Sequence, residues 1–161
     1  VNCTKFPPLG NRGIDGAGLD ADYGVDHFLT TESTYLKDAV KETFIVGQIE
    51  TLEALENLDA IASTAGIDML FLGPADLGHR LSVADTNLTL DDAITRVAEA
   101  ARRHKKSWGI TAGSPADIAH YRGLGAQMIP WGGDFSLMTV LEGCSKDLDE
   151  VLGDDPPVQR A

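Results

Sequence analysis

Cysteine is scarce in this chain: Cys3 and Cys144 are the two among 161 residues. Two thiols cannot build a disulfide framework, so a reducing, cytoplasmic home and ordinary free thiols are expected. Basic side chains are few as well, 13 against 25 acidic ones, for a net charge of -12 and a pI of about 4.5. That balance argues against nucleic acid and against an anionic membrane surface as partners. Long apolar runs are missing too, and nothing approaches the roughly 20 residues of a membrane span. The chain opens Val-Asn-Cys-Thr-Lys, with neither an initiator Met nor the basic-then-apolar start of a signal peptide. We therefore expect no secretory leader, and a true N-terminus further upstream. What the chain does have is 43% hydrophobic residues, enough for one globular core.

Residues 1–18 are dense in Pro and Gly and read as loop. A glycine-rich loop can wrap an anion with its amides, but no Walker-type Lys-Ser/Thr follows, and a surface connection is the simpler reading. From Ser33 onward a period appears. Ser33 to Lys41 reads as a helix, Phe44 to Ile49 as a strand, and Thr51 as the cap of a helix running to about Ser63. Met69 to Leu72 is a second strand, and Gly78 to Leu88 reads as polar and irregular. Thr89 with Asp92 forms a capping-box pattern ahead of a helix from Leu90 to about His104. Ile94, Val97, Ala98 and Ala101 face inward on it. Trp108 to Thr111 is a third strand, and Ser114-Pro115 starts a helix ended by Gly125. Gln127 to Trp131 reads as a fourth strand, followed by a last helix over Phe135 to Leu152. This alternation is the rhythm of a parallel α/β sheet, either doubly wound or part of an eight-unit barrel. Both folds place their sites at the C-terminal ends of the strands, where Glu50, Asp76, Thr111 and Asp134 fall.

Two of these residues define a candidate site. Val46-Gly47-Gln48-Ile49-Glu50-Thr51 and Phe71-Leu72-Gly73-Pro74-Ala75-Asp76-Leu77 each read as a buried strand leading to a carboxylate. One helix separates them, so the two strands run parallel and emerge on the same side. Glu50 and Asp76 then stand side by side on adjacent strands roughly 5 Å apart. Two buried carboxylates repel, so one holds a proton or a cation lies between them; a divalent ion with oxygen ligands is the simplest choice. A hydrogen-bonded structural pair is the alternative. Trp108 and Trp131 are read as packing residues, with Trp131 nearer the site.

The stretches Phe6-Pro7-Pro8-Leu9-Gly10-Asn11-Arg12-Gly13, Gln48-Ile49-Glu50-Thr51, Glu56-Asn57-Leu58-Asp59 and Leu72-Gly73-Pro74-Ala75-Asp76-Leu77, with a weaker run from Tyr121 through Gly125 and Trp131 to Asp134, carry a resemblance. In order and spacing over nearly all of residues 1–150 the chain resembles the HpcH/HpaI family of class II, metal-dependent pyruvate aldolases. The resemblance implies a TIM-type (β/α)8 barrel. It also implies a cytoplasmic, oligomeric lyase that uses Mg²⁺, Mn²⁺ or Co²⁺ to make or break a carbon–carbon bond to pyruvate. Its partners would be a small 2-keto acid (pyruvate or oxaloacetate) and an aldehyde. By the same resemblance Glu50 and Asp76 match the metal ligands, and Gln48 a polar neighbour. Gly73, Pro74 and Ala75 match the loop whose amides hold the pyruvyl carboxylate.

The departures matter as much. The family's catalytic His and substrate-binding Arg match no position here and would lie before Val1. His27, His79, His104 and His120 do not align with that His; His79 follows Asp76 closely enough to face the site. Arg12 and Arg80 are minor candidates for a distal carboxylate. The chain thus reads as the second half of such a barrel, about four strands over residues 1–152, with 153–161 as a tail. Open strand edges and an exposed face carrying Val46, Ile49, Met69, Phe71 and Ile110 or Ile129 would invite association. The readings to weigh against the aldolase are a related acyl-CoA or citramalyl-type lyase and a non-catalytic half-barrel binding or assembly module.

Overall fold

Hydroxyl caps set the starts of three helices in the structure, a computed structural model that describes residues 1–14 and 33–153. The Thr51 side chain accepts from the Ala54 amide, Thr89 from that of Asp92, and Ser114 from that of Asp117. Each satisfies a first-turn donor that otherwise has no partner within its helix. At Thr89 the bond is reciprocal, because the Asp92 carboxylate accepts from the Thr89 amide at 2.9 Å.

The elements alternate as the sequence period requires. Helix α1 covers Tyr35–Glu42, strand β1 Val46–Ile49, α2 Leu52–Glu56, α3 Leu58–Ser63 and β2 Met69–Leu72. Then follow α4 Pro74–Val83, α5 Leu90–Arg103, β3 Ser107–Ile110, α6 Pro115–Gly123 and α7 Phe135–Leu152. The helix expected from Thr51 to Ser63 is two short helices meeting at Asn57, which caps one and begins the other. Of the stretch expected to be irregular from Gly78 to Leu88, residues 84–88 are so, whereas Gly78–Val83 instead complete α4. Pro74 at its first position presets the backbone, and Leu77 and Leu81 are buried, so two apolar anchors one turn apart are sufficient.

The three strands form one parallel sheet in the order β1-β2-β3, with Val46 paired to Met69 and Met69 to Ser107. The fourth strand expected over Gln127 to Trp131 shrinks to two isolated parallel bridges, Gly109 with Met128 and Ala112 with Trp131. Pro130 lies inside that stretch and has no amide to extend a ladder. Gly109 is required where the stretch arrives: a Cβ there would collide with the Met128 backbone and lie 3.1 Å from the Phe71 ring.

The core lies on one face of this sheet. Ile49, Leu70, Leu72, Trp108 and Ile110 are buried against Leu55, Leu58, Leu77, Ile94, Val97 and Ala101 of the helices. Ile49 and Ile110 therefore face the helices, correcting their assignment to the opposite face: side chains alternate along a strand, and theirs share the parity of Leu70 and Leu72. The opposite face carries Val46, Gln48, Met69, Phe71 and Gly109. Val46 and Gln48 there are exposed. Helix α7 carries exposed Leu137, Met138, Val140, Leu141, Leu148, Val151 and Leu152. Among the described residues no helix is long and apolar enough to cross a membrane. The tail expected at 153–161 lies outside the described residues beyond Gly153, as does His27.

Candidate active site

The C-terminal ends of β1 and β2 are locked together. The Gly73 amide donates to the Ile49 carbonyl at 3.0 Å, carrying the ladder one residue past β2. Glu50 thereby sits beside Gly73. A Cβ on Gly73 would lie 3.1 Å from Gln48 Nε2, 3.1 Å from Glu50 Cβ and 3.2 Å from Glu50 Oε2. Gln48, Glu50 and Gly73 share one face because they are two residues apart on one strand and level across to the next.

Asp76 occupies a different position from the one expected. It does not end a strand; it stands in the first turn of α4, three residues after the N-cap Gly73. Pro74 is the reason, because it cannot continue the ladder and its fixed φ starts a helix at once. Asp76 is exposed and Glu50 half-buried. A carboxylate in a first helical turn is also favoured by the helix dipole, which is the purely structural account of Asp76. Gly73 is buried, Pro74 half-buried and Ala75 exposed. With Asp76 they form the opening turn of α4, so all the matched positions of this loop lie on one short bend.

Beside this bend lies a cleft of about 360 Å³ lined by Pro74, Thr111, Ala112, Gly113, Trp131, Gly132 and Ser136. Its floor is the end of β3, where the Ala112 amide donates to the Pro130 carbonyl at 3.0 Å. The two tryptophans part company here. Trp108 is 2% exposed and packs in the core, as expected, whereas Trp131 is 56% exposed and forms a wall of the cleft. Ser136 is a wall residue that the sequence reading missed; its position in the first turn of α7, behind Gly132, is the signal that would have found it.

The other candidates scatter. His79 and Arg80 lie on α4 and are exposed. The guanidinium of Arg12 sits 4.6 Å from the Phe6 ring centroid, so it covers a buried aromatic. His120 lies on α6 with its ring tilted 56° against that of its neighbour Tyr121, centroids 5.6 Å apart. His104 Nε2 lies 2.8 Å from Asp59 Oδ1, and Arg103 binds both oxygens of the same carboxylate. The Arg103 hydrogen bond first, then that of His104, hold the Asp59 carboxyl below its ordinary value. This cluster joins α3 to α5 at the surface, away from the strand ends.

No cluster of three His, Cys, Asp or Glu side chains that could hold a metal exists among the described residues. The donor set at the bend is two carboxylates, hard oxygen ligands of the kind Mg²⁺ and Mn²⁺ take with several waters or substrate oxygens retained. The tight contact of Gly73 with Glu50 brings backbone to within reach of anything bound between them.

Residues 1–140 match the HpcH/HpaI aldolase/citrate lyase family, and the chain belongs to that family. A hydroxypyruvate/pyruvate aldolase of Pseudomonas aeruginosa is 33% identical over 144 residues, 86% of this chain and 50% of that protein. A 2-keto-3-deoxy-L-rhamnonate aldolase of Klebsiella pneumoniae is 35% identical over 137 residues, 84% of this chain and 47% of that protein. An HpcH/HpaI aldolase structure from Desulfitobacterium hafniense superposes with a TM-score of 0.76 at 29% identity, over 97% of this chain and 60% of that one. The chain thus spans about half the length of the curated relatives it matches. The parallel βα units are those of the family's barrel, in part.

Proposed function

We propose that this chain forms part of a divalent-metal-dependent aldolase that makes or breaks a carbon–carbon bond to pyruvate. The observation that carries the proposal is the locked bend at Glu50, Gly73 and Asp76, placed where β1 and β2 end. Glu50 and Asp76 would hold the ion, Mg²⁺ or Mn²⁺, which when bound stabilises negative charge developing on the keto oxygen of the substrate. Gln48 donates from beside Glu50 and orients the keto acid. The Gly73 amide is held by the Ile49 carbonyl, so the amides of Ala75 and Asp76 in the first turn of α4 would face its carboxylate at the positive end of the helix. In the cleavage direction the 4-hydroxyl gives its proton to water, the C3–C4 bond breaks as that oxygen becomes the aldehyde carbonyl, and the electron pair left on C3 as the pyruvate enolate takes a proton from water.

The same reading covers residues 1–152 as one partial barrel domain. It also includes association with further copies of the chain, supported by the exposed apolar side chains of α7 and by exposed Val46. Sedimentation of the 161-residue chain as a monomer at tens of micromolar would count against that part.

The reaction is tested by steady-state cleavage of 4-hydroxy-2-keto acids, read as pyruvate release, beside malyl-CoA-type thioesters. Metal-dependent pyruvate release from the keto acids is expected, slowed by about 10²–10⁴ in this chain because no residue of it matches the family's acid–base His. Cleavage of thioesters alone would transfer the chain to a different lyase class, and cleavage of neither would leave a binding or assembly module.

A further inference from the structure

The cleft beside the bend has a composition of its own. Among the described residues, the seven that line it carry no charged side chain. Trp131 presents a 56% exposed indole, large for a residue whose backbone is bridged to Ala112. Thr111 and Ser136 bring two hydroxyls, each able to donate and to accept. Pro74 connects the cleft directly to Gly73 and so to Glu50. A ligand held at the bend by its keto-acid end would extend its other end into this cleft.

We infer that Trp131 sets the specificity of the aldehyde half, selecting an uncharged, hydroxyl-bearing aldehyde. An exposed aromatic face takes the C–H side of a polyhydroxylated carbon chain, while nearby hydroxyls take its O–H groups. An acceptor with its own carboxylate meets no cation among the described lining residues, and it approaches a chain of net charge -12. This inference rests on the aldolase reading for the location of the aldehyde. Its contact with the indole is measured separately from the chemistry.

Two tryptophans give two indole N–H resonances, and Trp131→Phe assigns them. The 161-residue chain is titrated with D-glyceraldehyde and, in parallel, with succinic semialdehyde. The expected result is a saturable shift of the Trp131 resonance with D-glyceraldehyde, none at buried Trp108, and binding of the semialdehyde weaker by about tenfold or more. Trp131→Ala should weaken D-glyceraldehyde binding about tenfold, read from ligand line broadening, and Trp131→Phe should retain most of it. An unmoved Trp131 resonance, or equal or tighter binding of the semialdehyde, overturns the inference. Mn²⁺ binding at Glu50 and Asp76 is titrated alongside. Its absence with an intact Trp131 shift strikes the aldolase reading alone, and its presence with an unmoved resonance strikes this inference alone.

Discussion

Gly73 and Glu50 are so close that a single methyl group on the glycine would lie 3.1 Å from the glutamate Cβ and 3.2 Å from its Oε2. The contact comes from parallel register, since the Gly73 amide binds the Ile49 carbonyl and leaves Glu50 level with Gly73. Gly73→Ala should therefore displace the Glu50 carboxylate by a few tenths of an ångström. The expected loss in stability is about 1–3 kcal/mol, the usual effect of overpacking. Mn²⁺ affinity should fall with it. Chemical denaturation and calorimetric titration check the two parts, and an alanine variant with unchanged affinity would mean Glu50 is not held by this contact.

The box at the start of α5 gives a second prediction. Thr89→Ala removes both the side-chain acceptor for the Asp92 amide and the hydroxyl that donates to the Asp92 carboxylate. It should destabilise the chain by about 1 kcal/mol. Urea midpoints measure this. Asp92 depends on the same hydroxyl, which is the main cause of its lowered pKa, so its titration should move back up in the variant.

How much of this was legible beforehand depends on whether a signal was local. Thr51, Ser114 and the Thr89–Asp92 pair mark helix starts through chemistry confined to four residues, and each stands where it was read. Met69–Leu72 was legible because every residue in it is apolar. Helix α4 was not, because its period rests on Leu77 and Leu81 alone among polar neighbours. The sheet face of Ile49 and Ile110 depends on where the helices pack, which no residue announces. At the site, Glu50 and Gly73 were legible as strand-end residues. Asp76 belongs to α4 rather than to a strand end because Pro74 ends the ladder and opens a helix in one step, which the apolar run before it does not announce.

Asp59 supplies a pH prediction. Its folded pKa is lowered by hydrogen bonds from Arg103 and then His104. A carboxyl lowered on folding contributes stability above its unfolded pKa, near 3.9 for an ordinary Asp, and loses it as pH falls through the lower folded value. The stability gap between the wild-type chain and Asp59→Asn should thus be present at pH 5–6 and close below about pH 4. The side chain is exposed, so added salt should narrow the gap. Urea melts across this range test it; a gap that grows on acidification would contradict the assignment.

Leu72 is fully buried at the last position of β2, one residue before the bend. Leu72→Ala should destabilise the fold by about 2–5 kcal/mol through lost burial and the cavity left behind. Thermal unfolding would detect a loss on this scale readily.

The central claim is that Glu50 and Asp76 hold one divalent ion although they stand on different elements. Calorimetric titration of Mn²⁺ into the 161-residue chain and into the Glu50→Gln plus Asp76→Asn variant tests it most directly. The account predicts a single site in the wild-type chain, weakened about tenfold or more in the variant. Equal affinity in the two would contradict it.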